Sequence, residues 1–350
     1  DAIVKTLQHP TVASKSFLIT IGDRTVGGMV ARDQFIGPFQ VPVSDYSLCL
    51  RSFTSLTGEV MSIGEKSTLA VTNPEASLRM AMGEALTNMA GVVIKGLDHV
   101  QVSANWMAAS GDPKQDSALR NGVEALSKMS VDLEVSIPVG KDSLSMRTKW
   151  NEEKNEYEVT SPLSGIISAM APVEDISHSV TPELNLDEDS VILVVKINQK
   201  NRLAGSIFSE VTESQYNETP DIDDVKLFKS LFNHIQGLIK DNKILAMHDI
   251  SDGGLVTALA EMCFTKKVGM SIQVDDIDSI NKTLFSEEIG FVIQVKSDDL
   301  DIVKSSLDEI NIYVKEVATI VEESFSISSK EKEVFSESIT VLEKYWRETS

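Results

Sequence analysis

Cysteine is nearly absent from this 350-residue chain, and with it go the structures that cysteine builds. Cys49 and Cys263 each sit in an apolar run (SLCL and EMCF), far apart in sequence. Such a pair makes neither a disulfide framework nor a zinc knuckle. Neither cysteine lies in a glycine-flanked elbow, so both read as small buried thiols in a reducing cytoplasm. The five histidines are scattered without an HxxxH spacing. No apolar run approaches the roughly 18 residues that a membrane-spanning helix needs. Basic charge is short as well: 32 Lys and Arg stand against 53 Asp and Glu, a net charge of -21. That balance argues against nucleic acid and against anionic membranes, both of which call for a basic face. A GxxxxGK[ST] phosphate loop is missing too. The chain opens on Asp1 with no initiating Met and no basic-then-apolar leader, the pattern expected of a segment from a longer polypeptide.

What is present is enough for a substantial core. With 42% hydrophobic and 24% charged residues, the length favours two domains. The polar stretch 151–157 (NEEKNEY) reads as a hairpin or a boundary. The runs SGIISAMAPV, SVILVVKI, GFVIQVK and IYVKEVATIV read as strands, while 225–239, 255–264 and 300–310 carry helix-spaced apolar residues. Earlier, 74–94 is the clearest helix: Asn73 is placed to cap it, Pro74 suits its first position, and Glu75 favours its positive end. A second helix is expected over 117–128. The fold class predicted is α+β, with domains over 1–157 and 158–340 and a linker beginning at 341–350.

Four segments carry candidate chemistry. Glu84 and Asn88, four apart on the first helix, emerge on one face a turn apart. Their oxygens suit a hard cation such as Mg²⁺, although an unremarkable surface pair would look the same. Asp45, in the strand-like VPVSDYSLCL, either faces water at an edge or points at a cation. In MHDISDGGLV, acids and a hydroxyl end a strand before a glycine turn and a helix N-terminus, a ready place for phosphate plus metal. Asp252 there doubles as a candidate helix cap, and His248 reads as structural. VGKDSLSM offers Lys141, Asp142 and Ser143 either to a phosphate or as a plain surface turn. Lys15 in HPTVASK and Glu65 in IGEK add weaker signals.

Together and in this order, HPTVASKSFL, DRTVGGMVARDQFIGPFQVPVSD, MSIGEK, RMAMGEALTN, VSANWMAA, VGKDSLSM and HDISDGGLV resemble the large single-chain phosphoribosylformylglycinamidine synthases, in the second half of their synthetase region. The resemblance runs from about residue 3 to YWRETS at the end. It implies an aminoimidazole ribonucleotide synthetase-like half, an A domain that contributes to a β-barrel followed by a B domain of α/β sandwich type. It further implies Mg²⁺ on Asp45, Glu84, Asn88 and Asp249, nucleotide on Ser44 and Ser251, and nucleotide phosphates on Lys15. Lys141, Asp142 and Ser143 would face either substrate or phosphate. The turn 202–206 (RLAGS) departs from the family, with Ala204 where Gly is usual.

The activity implied is ATP-dependent conversion of formylglycinamide ribonucleotide and glutamine to the amidine, with ADP, phosphate and glutamate as the other products. The family's glycine-rich ATP loop and its glutaminase triad find no match in this sequence. The expectation is therefore an incomplete, inactive portion holding ATP or ADP with Mg²⁺ in an auxiliary site. Its expected partners are the first half of the synthetase and a glutaminase domain, or a second copy of itself. Alternatives are a purely scaffolding MgADP module, or another member of the superfamily such as selenophosphate synthetase or thiamin phosphate kinase.

Overall fold

The computed structural model describes residues 1–22, 24, 28–152, 155–330 and 332–348. Four residues of the DRTVGGMVARDQFIGPFQVPVSD motif (23 and 25–27), two of NEEKNEY (153 and 154) and the last two of YWRETS lie outside the described residues.

The first sheet begins after two short helices, α1 (Ala2–Gln8) and α2 (Ser16–Thr20). Its first strands are β1 (Val30–Arg32), β2 (Ser47–Leu50) and β3 (Gly58–Glu65), followed by α3 (Ser67–Ala70), α4 (Pro74–Met89), β4 (Gln101–Met107), α5 (Pro113–Leu133) and β5 (Ser136–Ser143). A two-stranded ribbon, β6 (Arg147–Glu152) with β7 (Asn155–Thr160), leads to β8 (Ser164–Val173). The strand order is β1-β2-β3-β8-β4-β5, antiparallel throughout except for β4 beside β5. Strand β3 alternates buried and exposed residues, the period-2 signature of a half-buried strand, and α4 covers its inner face. As expected, the Asn73 side chain caps α4 by accepting from the Ala76 N–H at 3.0 Å. Gly64 lets this helix come close: a Cβ there would lie 2.1 Å from the Ala81 carbonyl oxygen.

The second sheet comprises β9 (Ser190–Lys196), then, after α6 (Ile207–Val211) and α7 (Val225–Lys240), β10 (Ala246–Asp249). It continues through α8 (Gly254–Lys266), β11 (Gly269–Val274), α9 (Ile280–Phe285), β12 (Gly290–Lys296), α10 (Leu300–Glu309), β13 (Tyr313–Val321), β14 (Ser324–Ser329), β15 (Lys332–Ser338) and α11 (Ile339–Arg347). The order is β10-β12-β9-β13-β11-β14-β15, parallel only between β11 and β14. Leu193, Val195, Phe291 and Ile293 pack into one core with α7, while Ile192, Val194 and Val292 pack into a second with α1, α8 and α11. Gln236 of α7 ties the halves together, accepting from the Ile94 N–H at 2.7 Å and donating to the Ala90 and Val92 carbonyls.

Three boundaries differ from the expectation. The described residues of NEEKNEY lie in the paired strands β6 and β7, and β8 returns to the first sheet between β3 and β4, so the 157/158 division falls inside that domain. A hairpin and a linker share the same polar composition, and only the pairing of the next strand separates them. Helix α1, counted with the first domain, packs on α6, α8 and α11, and buries Ile3 and Leu7 in the second core. Residues 341–347, expected as linker, belong to α11, which buries Leu342 and Trp346 against the same core. The A-type sheet is open: among the described residues it closes into no barrel.

Candidate functional site

The site is built where the end of β10 meets α4 and the loop before β2. Asp45 lies two residues before β2 rather than within it, since the backbone at 42–46 bends before pairing begins. Its Oδ1 stands 2.7 Å from Nδ1 of His248. That contact lies off hydrogen-bond alignment, so the buried Nδ1 has no well-formed partner, while Nε2 meets Glu261 of α8 at 2.9 Å. Asp249 Oδ1 is 3.6 Å from the same Nδ1. Asp45, His248 and Asp249 each offer a ligand atom within 4.8 Å of the others.

Glu84 occupies an adjoining position. Its Oε2 accepts from the Glu65 N–H at 2.6 Å, and its Oε1 accepts from the Ser251 hydroxyl and lies 3.3 Å from Lys66 Nζ. Lys66, only 3% exposed, also donates to Asp252 at 2.6 Å and to Ser251 at 2.9 Å. Asp252 is thus an ion-pair partner, and the cap position of α8 falls to Gly253, in a left-handed conformation with φ 84. Gly254 is also left-handed, at φ 73, and a Cβ there would come within 2.7 Å of Phe285 backbone. Buried Glu287 anchors this turn by accepting from the Gly253 and Ile207 N–H groups, each at 2.9 Å.

The electrostatics are those of crowded, desolvated acids. Burial, followed by the charge of Asp45, pushes the Asp249 carboxyl well above its ordinary range, and Glu84 adds to the effect. Burial raises Asp45 and Glu84 too, against the opposing pull of His248 and Lys66 respectively. Burial works against the His248 imidazolium, but Asp45 and Glu261 outweigh it and raise its pKa well above normal. Three carboxyls that resist ionising together are a place where added positive charge is strongly favoured.

A cleft of about 240 Å³ opens onto this group, lined by Lys15, Ser44, Asp45, Asn88, Asp249 and Ser251. It adjoins a wider cleft of about 660 Å³ running past Arg24, Met61 and Ile63. Asn88 donates its amide N–H to the Ile63 carbonyl at 2.9 Å, an arrangement that commits the nitrogen and spares the oxygen. Ser44 donates to the Tyr46 carbonyl at 2.8 Å. The Lys15 ammonium is held by the carbonyls of Pro10, Thr11 and Ala13, and burial lowers its pKa. Lys141, Asp142 and Ser143 are elsewhere. They end the edge strand β5, four ladder steps from β2 and roughly 19 Å away at about 4.8 Å per step.

Two domain families match this architecture. Residues 14–172 match the FGAR-AT PurM_N-like domain, and residues 187–329 match the C-terminal domain of AIR synthase related proteins. The chain thus pairs an FGAR-AT PurM_N-like region with an AIR synthase-related C-terminal region. Its fold is shared with Thermotoga maritima PurL complexed with FGAR at a TM-score of 0.68 and 10% identity, covering 98% of this chain and 52% of that one. T. maritima PurL complexed with ADP gives a TM-score of 0.62 at 10% identity, with 97% and 48% covered. A HypE–HypF complex chain gives 0.57 at 14% identity, with 83% and 92% covered. The chain spans about half the length of the PurL chains it matches.

Sequence reasoning missed two residues of the cleft. Lys66 was legible from the alternation Gly58, Val60, Ser62, Gly64, whose next inward position it occupies. Glu261 was legible as the lone acid in the apolar helix GLVTALAEMCFTK. Glu65, singled out beside Lys66, turns its carboxylate back to the Ser67 N–H at 2.7 Å.

Proposed function

We propose that this chain is one half of the synthetase region of a phosphoribosylformylglycinamidine synthase, and that the cleft beside Asp45 and Asp249 holds a magnesium-bound ADP or ATP. The observation that carries the reading is the convergence of two buried carboxyls, Asp45 and Asp249, on a cleft whose rim supplies a lysine, two serine hydroxyls and an amide, with Glu84 adjoining them behind Ser251. The donor set fits the ion: oxygens from Asp45, Asp249 and Glu84, with the Asn88 amide oxygen, are hard ligands of the kind Mg²⁺ accepts. The unaligned His248 Nδ1 fits as well, since its charge offsets part of the Asp45 and Asp249 repulsion and a bound cation would compete with it for both. Bound there, Mg²⁺ would neutralise and orient nucleotide phosphates. Lys15 would add a cation at the rim, and Ser44 and Ser251 would donate to the phosphates by turning their hydroxyls away from the Tyr46 carbonyl and Glu84.

In this reading the site is auxiliary and structural. Turnover of formylglycinamide ribonucleotide with glutamine and ATP would require the first half of the synthetase and a glutaminase domain. The outer face of the first sheet supports such an association, because Met61 and Met170 face each other in register and are 44% and 42% exposed, with Ile63 beside them at 59%. An apolar sheet face of that kind suits pairing with a related domain, whether the first half or a second copy. Lys141, Asp142 and Ser143, at the far edge of that sheet, would reach substrate across such a pairing.

Equilibrium dialysis of the nucleotide-stripped chain with ADP tests the reading. We expect one ADP per folded chain in millimolar Mg²⁺ and at least a tenfold weaker affinity in excess EDTA. Equal affinity with and without Mg²⁺ would remove the metal from the site, and no binding would remove the nucleotide.

A further inference from the structure

A second cavity, of about 280 Å³, lies in the second domain and shares no lining residue with the cleft around Asp45. One side of it is apolar, with Val194 of β9, Ile272 and Val274 of β11 and Val317 of β13 all 4% exposed or less, and the rest of the lining is polar. One charged group opens into it from inside the fold. Lys196, at the end of β9, is 3% exposed, and its Nζ has a single hydrogen bond among the described residues, to the Asn201 side-chain oxygen at 3.4 Å. Both residues line the cavity.

That ammonium has no counterion of its own. The nearest buried acid, Glu288, is taken by Arg202, whose Nε and Nη2 donate to it at 2.6 and 2.8 Å. No carboxylate lies within 4.0 Å of Lys196 among the described residues, whereas Lys315, on the neighbouring strand, is matched by Asp275 at 2.5 Å. Asp275 and Asp276 also line the cavity, but both are exposed at its mouth, where solvent screens them. A buried ammonium without a partner is costly, and proteins resolve the cost by pairing it or by shedding the proton. Burial does hold Lys196 down to about 8, with only partial relief from Glu288.

We propose that this cavity is a binding site for a small ligand carrying a carboxylate or phosphate on an apolar body, the anion seated on Lys196 and the body against the valine and isoleucine wall. The volume suits a ring-sized body, being just under the range of about 300 to 1,000 Å³ typical of drug-sized pockets. The Asn201 amide meets Lys196 directly, and Tyr313, the cross-strand partner of Lys196, lines the same cavity. They supply the neutral hydrogen-bonding groups that such a site uses to fix orientation.

The probes are benzoate, phenyl phosphate and the neutral isostere benzamide, titrated into the intact chain and followed by ligand-observed NMR, with and without saturating MgADP. We expect saturable binding of benzoate or phenyl phosphate that MgADP leaves unchanged, and at least tenfold weaker binding of benzamide. Lys196→Met, similar in length and apolar, should lower the anion's affinity at least tenfold while keeping the thermal midpoint at or above that of the parent. Preference for benzoate would mark a carboxylate site, and preference for phenyl phosphate a phosphate site. The proposal is overturned if neither anion saturates, if benzamide binds as well as benzoate, if MgADP displaces both anions, or if Lys196→Met binds them unchanged. Should that variant fail to fold, the benzoate–benzamide comparison on the parent chain still decides.

Discussion

Replacing Lys66 with methionine is expected to destabilise the protein by about 3–5 kcal/mol, the range found when one partner of a buried ion pair is removed. Lys66 is the only cation within 4.0 Å of Glu84 and of Asp252 among the described residues, at 3.3 and 2.6 Å. Methionine preserves the length of the side chain, so packing changes little and the loss is electrostatic. Glu84, Asp252 and the nearby Asp249 would then stand as three acids with no lysine between them, and burial prevents water from compensating. Urea denaturation measures the effect directly. The same acids should make the variant unusually responsive to Mg²⁺, with millimolar Mg²⁺ restoring more stability to Lys66→Met than it adds to the parent. A variant within about 1 kcal/mol of the parent would mean that the acids are already neutral and that Lys66 is incidental.

Trp346→Ala is the second large effect, again about 3–5 kcal/mol, as for other fully buried aromatic truncations. The indole is 1% exposed, its ring centroid is 5.2 Å from that of Phe264, and its Nε1 donates to the Val12 carbonyl at 3.0 Å. The Ser14 N–H in turn donates to the Trp346 carbonyl at 2.9 Å. These two bonds fix the 9–15 loop that carries Lys15 to the rim of the smaller cleft. Alanine at 346 should therefore weaken ADP binding as well as stability, and by more than an equally destabilising change remote from that loop. Loss of stability with undiminished affinity in the folded fraction would separate α11 from the cleft.

How much of this was legible beforehand varies with the kind of signal. Periodic elements were clear: α4 with its Asn73 cap, and strands such as Ser164–Val173 and Gly290–Lys296, sit where their hydrophobic pattern put them. Which sheet a strand joins was not legible. Pairing is a long-range property, and β8 looks the same in sequence whether it opens a second domain or completes the first. Helix α11 was hidden because its buried positions, Ile339, Leu342 and Trp346, are interrupted by charge and match a polar tail as well as an amphipathic helix. At the site, oxygen donors could be picked by type and spacing, but their partners could not. Nothing local says that Lys66 would thread between Glu84 and Asp252, since 186 positions separate Lys66 from Asp252. The ammonium of Lys196, sitting in an ordinary β-run, gave no signal until Arg202 was seen to hold Glu288.

The central claim is that Asp249 and its neighbours form a cation-dependent nucleotide site, and calorimetric titration of MgADP into the parent and into Asp249→Asn tests it most directly. Asparagine keeps the shape of the side chain and removes one of three converging charges, so the variant should fold at least as stably as the parent in the absence of metal. The account predicts Mg²⁺-dependent binding to the parent and an affinity at least tenfold lower in Asp249→Asn. Equal MgADP affinity in both proteins would contradict it.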